Sequence, residues 1–230
     1  MLQYGTSLRI VFLEGGSRMI IEGSLTSFLD TLANPTATPG GGSTAAAMGA
    51  MAAALVCMVC SLTLDKKRPP ELENEIGELL LQAQAARQRL TLMIDGDVKA
   101  YGAVMSAYAL PRGSEAERTQ RSEAIQRALA AATLAPLECA RACGEVMDLS
   151  RIAAEKGNVN AAGEAALATL AAHAALRGAA LNVYINTGSM RDRSFVDGTL
   201  AELNDIVRGR DGLDASVVEL VRSRVTNSSP

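Results

Sequence analysis

No charged residue occurs between Asp30 and Asp65. The second part of this stretch, residues 43–64, is long enough to cross a membrane as a helix. Its first half, however, consists mainly of Ala, Gly, Met and Thr, which insert more weakly than Leu, Ile or Phe. It has no aromatic anchors and ends at the polar run Asp65-Lys66-Lys67-Arg68. We therefore interpret it as a central helix, buried on all sides, in a soluble protein.

Alanine is abundant in this chain, whereas aromatic residues make up only 3% of it and Trp is absent. Alanine is the strongest helix former, and a β-sandwich or barrel would need more β-branched and aromatic residues. Apolar residues, at 48%, supply enough surface for a core and argue against disorder. The predicted fold class is all-α, a multi-helical bundle with a long central buried helix.

Apolar periodicity and the positions of Pro and Gly predict where the helices begin and end. Ser24 is a suitable N-cap for a short first helix, and Pro69 and Pro70 separate the central helix from the next one. Further helical segments are predicted at residues 71–110, 115–151 (with Pro136 inside), 161–185, 197–208 and 213–224. We find no linker or repeat, so residues 19–230 are predicted to form one domain after a disordered extension at residues 1–18.

Several kinds of chemistry are excluded or made improbable by the composition. His173 is the single histidine, so one chain cannot build a metal site from several histidines. We interpret His173 as a core or interface residue, and the four cysteines, Cys57, Cys60, Cys139 and Cys143, as small buried thiols typical of a reducing compartment. The net charge of −3 argues against nucleic acid as a main partner.

Asp97 is the strongest indication of chemistry. Successive residues of a helix turn by 100°, which places Asp97 in the middle of an apolar stripe and Asp95 on another face. The stripe contains Ile76, Leu79, Ala83, Ala86, Leu90, Ile94, Tyr101, Val104 and Tyr108. A carboxylate in an apolar stripe must be paired, bound to a ligand or shifted in its pKa. Because Asp97 and Asp95 lie in different environments, one of them could act as an acid and the other as a base. The alternative is a pairing of Asp97 with an Arg or Lys of a neighbouring helix.

A glycine-rich loop, Pro39-Gly40-Gly41-Gly42-Ser43, precedes the central helix. Its backbone N–H groups and the helix N-terminus could approach an anionic ligand. It matches neither the Walker A pattern nor G-x-G-x-x-G. The alternative is a flexible turn that permits close helix packing.

Polar side chains elsewhere are further candidates for ligand contacts. The basic pair after the central helix could hold a polyanionic tail or could simply be a solvated helix end. Amides on Ala-rich helices could read the donors and acceptors of a heterocycle, cap a helix or face solvent. These candidates are Lys66, Lys67, Asn158, Asn160, Asn182 and Asn186.

Taken in order, several segments resemble the cyclodeaminase/cyclohydrolase family. This family includes bacterial methenyltetrahydrofolate cyclohydrolases and the C-terminal domain of formimidoyltransferase-cyclodeaminase. The resemblance covers about residues 24–205 and includes the motifs P-G-G-G-S, I-D-G-D and G-N-V-N-A. The matching segments are residues 28–30, 38–43, 62–63, 66–67, 94–97, 100–101, 110–111, 136–137, 156–161, 177–183 and 185–186.

The resemblance implies a cytoplasmic homodimer that hydrolyses 5,10-methenyltetrahydrofolate to 10-formyltetrahydrofolate without a metal or cofactor. Asp97 is then expected to act as acid/base or cation contact, with Asp95 as its supporter. The loop Pro39, Gly40, Gly41, Gly42 and Ser43 is expected to orient the substrate, together with Asn158, Asn160 and Asn182. Lys66 and Lys67 are expected to hold the glutamate tail.

Two departures from the family keep other functions open. Gly163-Glu164 stands where the family usually has Ser-Asp, and Asp65-Lys66-Lys67-Arg68-Pro69 where it has Gly-Lys-Lys-Lys-Tyr. One alternative function is cyclodeamination of 5-formimidoyltetrahydrofolate with loss of ammonia. Another is a non-catalytic helical protein that binds folate, which the Gly163-Glu164 departure would favour.

Overall fold

The structure, a computed structural model, describes residues 20–227 and consists of helices. The extension predicted at residues 1–18 lies outside the described residues. Short 3-10 turns occur at Ile20–Glu22 and Val159–Ala161. The α-helices are α1 (Leu25–Ala33), α2 (Gly41–Leu64), α3 (Pro70–Tyr108), α4 (Glu115–Lys156), α5 (Ala162–Thr187), α6 (Arg193–Arg208) and α7 (Leu213–Asn227). Since no strand occurs within residues 20–227, the all-α prediction is confirmed.

The ends of the helices follow the signals in the sequence. The hydroxyl of Ser24 accepts the Ser27 N–H and caps α1, as predicted. Pro70 occupies the first turn of α3, where its missing N–H removes no helical hydrogen bond. Ser114 and Glu117 form a reciprocal capping box at the start of α4. These helix boundaries therefore depend on local capping residues and prolines and not on packing between helices.

Helices α2 to α5 form an up-and-down bundle in which each helix packs against its neighbours in sequence and α5 returns to α2. Much of the shared core consists of Ala, so the helix backbones approach closely. At Gly49, a Cβ atom would lie 2.8 Å from Sγ of Cys143 and 3.1 Å from a methyl carbon of Leu90. The Ala and Gly content thus serves close packing of the four long helices.

The central helix α2 is long and apolar enough to cross a membrane by length and composition alone. In the structure, 56% of its most apolar window is buried against other helices. One stripe points away from the bundle and is exposed or half-buried. It consists of Thr44, Met48, Met51, Leu55, Met58 and Leu62. The prediction of burial on all sides is therefore wrong, because a lack of charge shows only that a face is apolar.

Pro136 lies inside α4, as the sequence indicated, and changes the hydrogen bonding of that helix. Proline has no N–H to donate to the carbonyl of Ala132 four residues earlier. The amide Nδ2 of Asn186, on α5, donates to that carbonyl at 2.7 Å instead. Asn186 therefore compensates for the proline and ties α5 to α4.

His173 and the cysteines have mainly structural surroundings. His173 Nδ1 lies 2.9 Å from Oδ2 of Asp214 and so links α5 to α7. Cys60, Cys139 and Cys143 are buried and Cys57 is half-buried, and all four are free thiols. Burial raises the pKa of Cys60 to about 12. The interpretation as small buried thiols is confirmed for three of the four.

Candidate functional site

Asp97 on α3 is bound to Ser43 in the first turn of α2. Its Oδ2 accepts the Ser43 N–H at 2.9 Å. The Ser43 hydroxyl lies 3.0 Å from the same oxygen and 3.0 Å from the carbonyl oxygen of Ile94, so its single proton can go to either. Ser43 is fully buried. The glycine-rich loop and the aspartate of the apolar stripe thus meet in space.

A carboxylate from one helix therefore caps another helix. The first N–H groups of a helix lack intrahelical partners and form the positive end of its dipole. Asp97 offers its negative charge at this end of α2. Within residues 20–227 it forms no ion pair with Arg or Lys, so the alternative of a basic partner is wrong.

Gly42 leaves the space that the carboxylate occupies. A Cβ atom at Gly42 would lie 2.1 Å from Oδ1 of Asp97, far inside contact distance. Any other residue would displace the carboxylate.

Asn182 lies beside the glycine-rich loop. A Cβ atom at Gly41 would lie 3.7 Å from Nδ2 of Asn182. Asn182 itself donates to the carbonyl of Gly178.

A cavity of about 140 Å³ opens between the four long helices at this point. Its walls are mostly apolar, and its acidic side chains come from Asp97 and Glu138. The lining residues are Gly42, Ala46, Met93, Gly96, Asp97, Ala135, Pro136, Glu138, Cys139 and Ala179. No basic side chain lines the cavity among the described residues. Glu138 is paired with Arg141, so Asp97, which has no basic partner within residues 20–227, is the charge that favours a cationic group over an anion.

Asp95 has a different environment from Asp97, as the helical periodicity predicted. It is buried, and its Oδ1 accepts the N–H of Ile20 at 2.8 Å. Its Oδ2 has no hydrogen-bond partner in the part of the chain that the structure describes. Asp95 therefore holds the 3-10 turn Ile20–Glu22 against α3, and within residues 20–227 it forms no hydrogen bond with Asp97.

Lys66 and Lys67 lie at the opposite end of the bundle. At 1.5 Å per residue, α2 separates them from Gly42 by about 36 Å along its axis. Both lysines are exposed. Within one chain they are too far from Asp97 to share a small ligand with it.

Asn158 and Asn160 lie at this same far end. The Asn158 N–H donates to the hydroxyl of Thr63 at 2.8 Å, and its amide Nδ2 donates to the carbonyl of Leu62 at 3.2 Å. The Asn160 N–H donates to the side chain of Asn158. These bonds join the end of α2 to the turn before α5. The predicted site residues thus form two groups at opposite ends of the bundle.

Sequence reasoning missed Glu138. The available signal was Pro136, because a proline inside a long helix kinks it and leaves a backbone carbonyl without its helical partner. Glu138 follows it by two residues and lines the same cavity as Asp97.

Comparisons with known proteins show which family the chain resembles. The Formiminotransferase-cyclodeaminase family matches residues 24–205. A methenyltetrahydrofolate cyclohydrolase from Methylorubrum extorquens is 46% identical over 202 residues, which cover 88% of this chain and 97% of that protein. The formimidoyltransferase-cyclodeaminase of Rattus norvegicus is 30% identical over 194 residues, which cover 84% of this chain and 36% of the rat protein.

A solved structure is similar as well. The crystal structure of a formiminotetrahydrofolate cyclodeaminase from Thermotoga maritima superimposes with a TM-score of 0.78 and 31% sequence identity. The match covers 88% of this chain and 97% of that one. The chain therefore belongs to the formiminotransferase-cyclodeaminase family.

Proposed function

We propose that this protein hydrolyses 5,10-methenyltetrahydrofolate to 10-formyltetrahydrofolate. The observation that carries the proposal is the cavity with apolar walls and the carboxylate of Asp97, which has no basic partner within residues 20–227 and suits the cationic amidinium of this substrate. The similarity to the Methylorubrum extorquens cyclohydrolase, which extends over nearly the whole of that protein, supports the same activity.

The proposed mechanism uses Asp97 as the acid/base group. The amidinium carbon of the substrate is already electrophilic, so water can add to it without a metal or cofactor. Oδ2 of Asp97 is held by Ser43, whereas Oδ1 has no hydrogen-bond partner within residues 20–227. Oδ1 would take a proton from the attacking water and return one to the departing ring nitrogen.

The remaining site residues have supporting roles in this proposal. The backbone of Pro39, Gly40 and Gly41 and the amide of Asn182 would orient the pterin ring beside Asp97. Asp95 would support the site indirectly, since it fixes the 3-10 turn that packs against α3.

Cyclodeamination of 5-formimidoyltetrahydrofolate is the second candidate. The Rattus norvegicus relative and the Thermotoga maritima structure, both named for cyclodeamination, favour it. The third candidate, folate binding without catalysis, depended on Gly163-Glu164. These residues belong to the start of α5, at the end of the bundle far from Asp97. The departure therefore does not bear on the cavity within one chain.

We also propose that the protein is a homodimer. Helix α5, a neighbour of α2 in the bundle, carries a second exposed apolar stripe, and the two stripes are proposed to form one face. The α5 stripe consists of Gly163, Leu167, Leu170, Ala174, Leu181 and Ile185. An apolar patch of this size on a soluble protein marks an interaction surface.

The area of this face is adequate for a dimer. Seven large side chains in the two stripes expose 38% to 70% of their surface: Met51, Met58, Leu62, Leu167, Leu170, Leu181 and Ile185. At about 200 Å² per residue they present roughly 700 Å², close to the ~800 Å² per partner of a standard interface. A two-fold axis across the bundle would bring opposite ends of two copies together. Lys66, Lys67, Asn158 and Asn160 are proposed to contact the substrate tail only in such an arrangement.

The proposed location is the cytoplasm, and the proposed partner is the folate substrate rather than nucleic acid or a membrane. Free buried thiols suit a reducing compartment. The net charge of −3 gives no electrostatic attraction to phosphate backbones.

A direct assay tests the proposed function. Purified full-length chain is mixed with 5,10-methenyltetrahydrofolate, and the loss of its absorbance is followed above the uncatalysed rate. A parallel reaction with 5-formimidoyltetrahydrofolate measures ammonia release. We expect turnover of the first substrate. Turnover of the second alone would establish the cyclodeaminase, and binding of folate without turnover would establish the non-catalytic alternative.

A further inference from the structure

Glu138 is a second carboxylate in the cavity of Asp97 and has no role in the mechanism above. It comes from α4, whereas Asp97 comes from α3, so the cavity carries acidic groups from two helices. The side chain of Glu138 is 42% exposed, whereas Ser43, which binds Asp97, is fully buried. Glu138 therefore lies where the cavity meets solvent.

The proposed reaction gives such a group a use, because each turnover releases a proton that has to leave the site. Water adds its oxygen to the amidinium carbon, and the bond from that carbon to one ring nitrogen breaks. One proton of the water ends on the released nitrogen. The other proton must leave, since a cationic substrate becomes a neutral formamide. Each turnover thus sends one proton from the cavity to solvent.

Glu138 is held in a way that leaves one oxygen available. Nη1 of Arg141 donates to Oε2 of Glu138 at 2.5 Å, and Nε of the same arginine donates to Glu202 on α6 at 2.5 Å. Arg141 is thereby fixed between two carboxylates. Oε1 of Glu138 has no hydrogen-bond partner among residues 20–227, so it can accept a proton without losing the contact with Arg141.

We propose that Glu138 carries the released proton from Asp97 to solvent, a role that rests on the hydrolysis proposed above. The cavity is large enough for the water that would connect the two carboxylates. Asp97 remains the group at the reacting atoms. Glu138 acts through it and restores its carboxylate form after each turnover.

The test is Glu138→Gln in the full chain. Glutamine has the same shape, and its amide oxygen can still accept from Arg141, but it cannot carry a proton. At low buffer concentration we expect kcat to fall roughly 100-fold, the lower end of general acid–base effects, with KM within about twofold. Small buffer bases should then take over, so kcat of the variant should rise with imidazole concentration at constant pH and ionic strength. Wild type should show no such rise.

Glu145→Gln is the matched control. Glu145 lies two turns further along α4 and pairs with Arg89, outside the cavity lining. Its variant should keep the wild-type kcat and show no buffer dependence. Circular dichroism establishes that both variants are folded.

Two results would overturn the role of Glu138 while leaving the proposed function intact. One is a Glu138→Gln variant with the wild-type kcat at low buffer concentration. The other is a lowered kcat that does not respond to imidazole, since this indicates a purely positional effect. If wild type itself does not hydrolyse 5,10-methenyltetrahydrofolate, the proposed function fails and the role of Glu138 fails with it.

Discussion

Ser43 donates its backbone N–H to Asp97, and its hydroxyl lies 3.0 Å from the same carboxylate oxygen, so a side chain of α3 caps the first turn of α2. The bond serves the fold and the site together. It ties two long helices at the point where the glycine-rich loop ends, and it leaves the other oxygen of Asp97, a residue that lines the cavity, without a hydrogen-bond partner within residues 20–227.

Replacement of Asp97 by Asn should abolish most of the activity while the fold persists. The amide oxygen can still accept from Ser43, so we expect a loss of about 1–2 kcal/mol in the free energy of unfolding. Because the amide cannot act as a base, kcat/KM should fall at least roughly 100-fold. Asp205→Asn, on the exposed side of α6, is the control. Hydrolysis by a folded Asp97→Asn variant within a few-fold of wild type would contradict the assignment.

Replacement of Gly42 by Ala should inactivate the protein for a steric reason. The new Cβ would meet Oδ1 of Asp97 at 2.1 Å and force the carboxylate out of position. We expect kcat to fall by about 100-fold. Gly77→Ala on α3, where nothing lies within 4 Å of the new Cβ, should retain full activity. Equal activity of the two variants in the absorbance assay would show that the carboxylate does not need this space.

The proposed dimer predicts a specific response to charge on its apolar face. Wild type should sediment as a dimer at micromolar concentration. Leu170→Glu places a carboxylate in the α5 stripe and should produce a folded monomer, since burial of an unpaired charge is unfavourable. Leu81→Glu, at a residue of α3 that is 67% exposed and outside both stripes, should remain dimeric. Sedimentation of wild type as a monomer would overturn this proposal.

The buried thiols should resist alkylation in the native protein. Burial raises the pKa of Cys60 to about 12 and also raises the pKa of Cys57. The pKa of Cys143 is raised first by its hydrogen bond with Cys139 and then by burial. Since the thiolate is the reactive form, iodoacetamide at pH 8 should modify the native chain slowly, beginning at the half-buried Cys57. Rapid modification of all four in native buffer, at the rate seen in urea, would contradict the burial.

The link between α5 and α7 should give a pH-dependent stability. The hydrogen bond from His173 holds the pKa of Asp214 below the usual value of an aspartate. This carboxylate therefore contributes stability that is complete above its unfolded pKa of about 4 and is lost as the pH falls through its lower folded pKa. The Tm difference between wild type and Asp214→Asn should be constant above about pH 4 and should shrink as the pH falls below it. Asp211→Asn serves as the control, and a difference that is constant with pH would argue against the link.

The helices could be predicted because their signals are local. The N-cap at Ser24, the prolines before α3 and the period of three to four residues gave element positions close to those observed. Asp97 could also be singled out, since a carboxylate in an apolar stripe is a local anomaly. The exposed stripe of α2 could not be predicted, because an apolar helix face that packs in the core and one that stays exposed have the same amino-acid composition.

The sequence by itself determined which side chains share a face of each helix, because the turn per residue is a property of the backbone. Only the tertiary structure decided which faces meet. Ser43 and Asp97 are 54 positions apart and touch because α2 and α3 pack as antiparallel neighbours. The same packing separates Lys66 from Gly42 by the length of α2 and brings Glu138 to the cavity of Asp97. These relations depend on the register between helices, which arises from the packing of small side chains across the whole bundle.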